Sequence, residues 1–370
     1  MSKSKMLNVH IGGRLVGKIA ETADHRYAFA YDEEWLKSGY PLNPFSLPLE
    51  GNVFVPKGRV FDGLWGVFAD SLPDAWGRLL EDRMFRSRGI DPGLLSQIER
   101  LAIVGSSGMG ALEYSPAWNI AHGNDAFDVD EMAQSCRKIL NHENVDDLDE
   151  LFRLGGSSGG ARPKVVTDEW IIKFPAKDES PDSGVMEKMY MDCASECGIV
   201  VPECKLLPSE NCGGYFAVRR FDRVNNQRVH MITAAALLET DWRTPNMDYH
   251  TLMKLTKILC TDCSEDVRQM FRRACFNVFA HNRDDHAKNF SFVYDETHDR
   301  WHVLPAYDLT YSNTYRGEHT TTVDGNGKNP GEKELMTVGR KAGISAALCR
   351  QIIGEIREKT QKLIAGIGKF

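Results

Sequence analysis

His281-Asn-Arg-Asp-Asp-His-Ala-Lys-Asn289 is the densest run of chemically capable side chains in the sequence. Its informative feature is a spacing: Asp284 and Asn289 stand five residues apart. Phosphoryl transfer asks for such a pair, because one carboxylate must take or orient a hydroxyl proton while a second oxygen ligand, a turn later, holds Mg²⁺ against phosphates. Two adjacent aspartates and a histidine also make a solvated turn with a helix cap, so the next segment has to separate the two readings. After the β-like runs FSFVYD and WHVLP comes Ala306-Tyr307-Asp308-Leu309, read as an acid at the end of an apolar strand. A gap of nineteen residues beyond Asn289 is long enough for a hairpin and a return to the same site. Asn289 and Asp308 then form a sufficient set for Mg²⁺, which takes few protein ligands and fills its shell with water and phosphate.

The Asp-to-Asn spacing is that of the protein-kinase loop HRDxxxxN, with Arg283 in its place and Asn282 where the motif has His. A nucleotide would also need backbone donors and a cation for its phosphates. Two Gly-rich runs are candidates, Gly105-Ser-Ser-Gly-Met-Gly110 and Gly155-Gly-Ser-Ser-Gly-Gly160. Lysines decide between them. The second is followed by Lys164 and by Lys173 in Trp170-Ile-Ile-Lys-Phe174, a strand lysine placed like that of the kinase VAIK motif, whereas the first leads into ALEYSP with no basic residue. Ser158–Lys164 is therefore read as the phosphate loop and Gly105–Gly110 as a structural turn. Glu187, opening the next helix, is the candidate partner of Lys173. Arg219, Arg220 and Phe221, between a β-rich and a helical stretch, are the hinge whose backbone would meet an adenine ring.

The surrounding pattern gives an α+β chain. LNVHIGGRLVGKIA alternates apolar and polar residues around Gly12-Gly13, a hairpin signal, and FADSLPDAWGRLLEDRMF carries a Ser or Asp cap, an early Pro and apolar residues at helical spacing. The polar run His122–Asp128 reads as a linker. From about Gly155 the pattern is loop, strand, strand, helix and two further strands. Beyond Asp222 long helical periods dominate, interrupted by one hairpin-like insert. This predicts a bilobal protein-kinase-like fold with an additional β-rich N-terminal subdomain (1–120), an N-lobe with the Gly-rich loop (121–221) and an all-helical C-lobe carrying the catalytic loop (222–370).

Composition narrows the class. A net charge of −7 does not suit a protein that coats nucleic acid. The C-terminal basic residues Arg340, Lys341, Arg350, Arg357, Lys359 and Lys362 alternate with Glu355 and Glu358 as a solvated helix face would. Nine cysteines at irregular gaps do not make a disulfide framework and suit a reducing compartment. Cys260-Thr-Asp-Cys263 is a lone CxxC inside a helical period, without a second ligand pair. No apolar run reaches the ~18 residues of a membrane span, and Met1–Met6 has no apolar core behind its lysines, so a cytoplasmic location without membrane contact is expected.

The residues resemble the HipA family of serine/threonine kinase toxins from bacterial type II toxin–antitoxin modules. The resemblance is carried by Asn282, Asp284, His286, Lys288 and Asn289 as NxDxHxKN, by Gly160-Ala-Arg-Pro-Lys164, by IIKFP, RRFDR and AYDL, and by SLPDAWGRLL (Ser71–Leu80) and VGSSGMGALEYSP (Val104–Pro116) in the N-terminal half. It implies an ATP- and Mg²⁺-dependent protein kinase with Asp284 as base, Asn289 and Asp308 on the metal and Lys173 on a phosphate. ATP would be lined by Ser158, Gly159, Gly160, Ala161, Arg162, Pro163 and Lys164, by Arg219, Arg220 and Phe221, by His286 and Lys288, and by Tyr307 and Asp308. It also implies inactivation by autophosphorylation at Ser157, or at its neighbour Ser158. A protein substrate such as an aminoacyl-tRNA synthetase follows from it too, with a small helix-turn-helix antitoxin (HipB-like) through which alone DNA is met. The loop reads Ala-Arg-Pro-Lys where the best-known members have Ala-Gln-Glu-Lys, leaving the lysine intact. A small-molecule or lipid phosphotransferase and a non-catalytic corepressor are the competing readings.

Overall fold

The computed structural model describes residues 5–118, 127–225, 227–261, 263–314 and 317–367. Most of the polar run expected as a linker, and with it the 120/121 boundary, lies outside the described residues. The chain divides into two compact units, the first formed by residues 1–184, 206–232 and 236–240, the second by 185–205, 233–235 and 241–370.

The first unit opens with an antiparallel sheet. Met6–Ile11 pairs with Arg14–Glu21 across Gly12 and Gly13, whose φ of 55° and 77° are what a two-residue type I′ hairpin requires and a side chain resists. Tyr27–Tyr31 and Val53–Phe54 extend one side and Glu113–Ser115 the other. Strand Tyr27–Tyr31 alternates between buried and half-buried positions, so its period-two pattern marks the face turned to the core.

The helix Ala75–Ser87 buries Trp76, Leu80, Met84 and Phe85 at helical spacing. They join Phe152 and Leu154 of the helix Leu148–Gly155 and Val165, Ile172 and Phe174 of a small sheet in one core. Each such side chain contributes about 1.5–3 kcal/mol by leaving water. A segment expected to be a separate subdomain thus shares its core with the β-lobe. In that sheet Lys164–Val166, Trp170–Lys173 and Tyr215–Arg219 run antiparallel, with Lys164 opposite Lys173 and Lys173 opposite Phe216.

The second unit is helical as expected, with Tyr249–Leu259, Cys263–Phe279, Glu332–Lys341 and Ala346–Ile367. It also takes the helix Ser183–Glu196 from Val185 onward, which the sequence pattern had assigned to the β-lobe. The insert is a true hairpin, Ser291–Asp295 against Arg300–Val303, and Met247–Asp248 pairs in parallel with Thr321–Thr322. Arg357 meets Glu332 at 2.7 Å and Lys362 meets Glu358 at 2.7 Å, the solvated charge pattern expected of the last helix. All nine cysteines are free thiols. Among the described residues no helix is long and apolar enough to cross a membrane.

Candidate active site

The loop His281–Asn289 leaves the helix Cys263–Phe279 through His281, whose φ of 55° turns the chain so that the Asn282 N–H returns to the Asn277 carbonyl at 3.0 Å. Of the two adjacent aspartates, Asp285 is fully buried. Its carboxylate accepts from Tyr249 Oη at 2.9 Å and the Thr321 N–H at 3.0 Å, and its Oδ2 lies 2.9 Å from His319 Nδ1. Burial, with Asp285 beside it, holds the Tyr249 phenol well above its usual range, so it stays a donor. Asn277 Nδ2 donates to Tyr249 Oη and Asn282 Nδ2 to Asn277 Oδ1, which ties the start of the loop to the same buried network.

Asp284 faces the other way, with 58% of its side chain exposed. Partial desolvation raises its carboxyl above the usual carboxylate range, His286 with Nε2 4.0 Å away opposes this, and the charges of Asp308 and Asp285 add to it. Asn289 donates its amide to the Asp284 carbonyl at 2.6 Å, which leaves Oδ1 to act as a ligand. Tyr307 Oη donates to the Lys288 carbonyl at 2.6 Å and also meets Ser291 Oγ, fixing the far end of the loop.

Asp308 is near enough for its charge to act on Asp284, but it does not end a strand. Strand Arg300–Val303 stops five residues earlier, and Asp308 sits in a loop with a φ of 53°, a left-handed geometry that Asp tolerates better than most residues. Among the described residues no group of three or more His, Cys, Asp or Glu forms a metal cage. One carboxylate and one amide oxygen fit Mg²⁺, which brings waters and phosphate oxygens of its own.

The first unit carries the loop Ser158–Lys164, expected from the sequence to bind phosphate. Gly160 has a φ of 85°, and a Cβ there would lie 2.6 Å from Lys164 Nζ, which donates to the Gly159 carbonyl. Asp74 precedes the helix Ala75–Ser87 without capping it, contrary to the expected cap. Its Oδ2 accepts instead from the Gly160 N–H at 3.2 Å. The Asp74 N–H reaches the Ser158 carbonyl at 3.3 Å, the Trp76 N–H the Gly160 carbonyl at 3.1 Å, and Trp76 Nε1 the Lys164 carbonyl at 2.9 Å. A Cβ on Gly77 would stand 2.6 Å from the Ser158 carbonyl, so only glycine lets the loop lie this close. Asp74, Trp76 and Gly77 shape this loop, and the sequence pattern presents them only as part of a helix start.

Ser158 is buried and donates to the Gly155 carbonyl at 2.6 Å, whereas half-buried Ser157 donates to the Ser107 carbonyl at 3.0 Å. Ser157 also lines a cavity of about 150 Å³, with Phe152, Trp118 and the buried Glu81–Arg100 pair. Gly105–Gly110 is a structural turn as read, its carbonyls at Ser106, Gly108 and Gly110 held by the Arg228 guanidinium. Arg162 pairs with Glu179 at 2.9 Å, and Pro163 is buried with its carbonyl accepting from the Phe174 N–H. Lys173 lies over the Phe216 ring at 5.7 Å. Arg220 gives its N–H to the Glu169 carbonyl and its guanidinium to buried Asp222 at 2.8 Å. In the second unit Glu187 is buried, where a solvated helix-face glutamate would be exposed.

Two family models match the chain: residues 156–364 match the HipA-like C-terminal domain and residues 7–115 the HipA N-terminal domain. The putative kinase Y4dM of Sinorhizobium fredii is 26% identical over 395 residues, 99% of this chain and 92% of that protein. The serine/threonine-protein kinase toxin HipA of Shewanella oneidensis is 24% identical over 356 residues, 85% of this chain and 77% of that protein. A solved complex of Shewanella oneidensis HipA, HipB and operator DNA contains a chain that superposes with a TM-score of 0.73 at 19% identity, covering 98% of this chain and 90% of that one.

Proposed function

Because the chain belongs to the HipA family and has its kinase-like fold, we propose that it is an ATP- and Mg²⁺-dependent serine/threonine protein kinase of the toxin type. When bound, ATP supplies the phosphoryl group and Mg²⁺ offsets the charge of its oxygens. In this reading Asp284 accepts or orients the proton of the attacking serine hydroxyl. Asn289 Oδ1 and the Asp308 carboxylate hold the metal. Lys164, Lys173 and the loop Ser158–Lys164, through the Gly159 and Ala161 N–H groups, hold phosphate oxygens, while the 219–221 hinge, His286, Lys288 and Tyr307 line the rest of the nucleotide.

The observation that carries the reading is the opposite fate of the two neighbouring aspartates: Asp285 is buried and saturated with donors, and Asp284 is presented to solvent beside a carboxylate and an oriented amide. A second feature agrees. Lys164 and Lys173 stand directly opposite on adjacent strands, which puts both lysines of the proposed phosphate site on one face of the small sheet.

The same reading gives regulation. A phosphate on Ser157 would carry about −1.5 to −2 charges and replace the donor now facing the Ser107 carbonyl with acceptors, so the loop would leave its present seat. Ser157 is the favoured acceptor, since Ser158 is buried. The proposed partner is a small helix-turn-helix antitoxin resembling HipB, through which DNA is met, and the proposed substrate is a cellular protein such as an aminoacyl-tRNA synthetase.

Purified protein with Mg-ATP is expected to gain one phosphate at Ser157 by mass spectrometry, to gain none in EDTA, and to gain none as Asp284→Ala with an unchanged melting temperature. No phosphate on the protein itself or on any protein of a bacterial lysate would leave a small-molecule or lipid phosphotransferase and a non-catalytic, antitoxin-supporting role as the surviving readings.

A further inference from the structure

The backbone of the loop His281–Asn289 is fixed by the buried Asp285 network, by the Asn289 amide on the Asp284 carbonyl and by Tyr307 on the Lys288 carbonyl. None of these contacts holds the side chain of His286, which lies between Asp284 and Asn289 in the loop. Its imidazole packs against an indole from a different part of the sequence, and the Lys288 ammonium lies over the same ring. The Trp242 and His286 ring centroids are 4.9 Å apart with planes tilted by 51°, and Lys288 Nζ lies 5.2 Å from the Trp242 centroid. The Arg243 guanidinium lies 5.4 Å from the same ring. The two cation distances fall inside the ~6 Å range over which an aromatic face attracts a cation, and the ring separation is that of a packed aromatic pair.

Trp242 stands in Asp241-Trp-Arg-Thr-Pro-Asn246, a polar stretch with no periodic apolar neighbours, so core packing does not account for its half-buried ring. We infer that Trp242 is a positioning residue: its indole is the floor that holds His286 beside Asp284, with Nε2 4.0 Å from Oδ1. The inference rests on the kinase reading for its kinetic consequence, though not for its geometry.

The geometric arm needs no nucleotide. In the full chain labelled at histidine, the His286 Cε1–H resonance should carry a ring-current shift that Trp242→Phe partly retains and Trp242→Ala abolishes. The kinetic arm follows phosphate incorporation from Mg-ATP. Trp242→Ala should raise KM for ATP more than it lowers kcat, with kcat/KM falling roughly 5- to 30-fold, and Trp242→Phe should remain within about threefold of wild type. Melting temperatures within about 2 °C of each other would separate this from a folding defect.

A His286 resonance that does not respond to Trp242→Ala overturns the inference. So does a normal response with unchanged kinetics, or a kinetic loss that follows melting temperature and is not rescued by phenylalanine. A wild-type protein that transfers no phosphate while the resonance responds as expected would instead refute the kinase reading and leave the indole's hold on His286 standing.

Discussion

Asp284 and Asp285 are chemically identical neighbours with opposite duties, and substitution should separate them. Asp285→Asn turns an acceptor of several buried donors into a group that must also donate, so it should cost about 3 kcal/mol and be read as a clear fall in melting temperature. Asp284→Asn removes an exposed carboxylate, so it should leave the melting temperature within about 2 °C while phosphate transfer falls by at least ~100-fold. The buried role of Asp285 was not legible in the sequence. The five-residue spacing to Asn289 selects Asp284, but only the fold shows that Tyr249, His319 and Thr321 converge on Asp285 from segments distant along the chain. Asp308 was legible as an acid returning to the site, while its left-handed loop was not, because a strand pattern does not reveal where the strand stops. Trp242 was invisible for a related reason: a single aromatic in a polar loop has no period to read.

Among the elements, the start of the helix Ala75–Ser87 is the part whose role differs most from its local pattern. Its apolar spacing correctly gave a helix, and Asp74 looked like its cap, yet the carboxylate accepts from the Gly160 N–H of the proposed phosphate loop. Gly77→Ala therefore should act at a distance. The new methyl group would press on the Ser158 carbonyl, costing ~1–3 kcal/mol of stability and raising KM for ATP, as measured by urea unfolding and by phosphate incorporation. The small sheet makes a separate prediction. Because Lys164 faces Lys173 across adjacent strands, inorganic phosphate at millimolar concentration should raise the melting temperature of the wild-type protein, and Lys173→Met should lose most of that rise.

For the molecule as a whole, Glu239 of the first unit is a contributor to the pH dependence of stability whose sign can be worked out. Glu239 has its carboxyl pushed up to about 7 by burial, against the opposing pull of the Gly66 N–H and the Ser46 hydroxyl. A folded value above the ordinary 4.5 means that the folded state holds the proton longer than the unfolded chain. Its stabilisation is therefore complete below about 4.5 and is lost as pH rises through about 7. Glu239→Gln should flatten that part of the profile, and urea unfolding at several pH values across the interval would reveal it. A wild-type stability that rises steadily with pH and is unaltered in the variant would contradict this assignment. The clamp between residues 74–77 and 156–160 has a consequence for descent. It joins the segment matching the HipA N-terminal domain to the segment matching the HipA-like C-terminal domain. A lineage that exchanged one segment by recombination would inherit a phosphate loop without the turn that shapes it. The two segments should therefore pass from ancestor to descendant together, as a single heritable block.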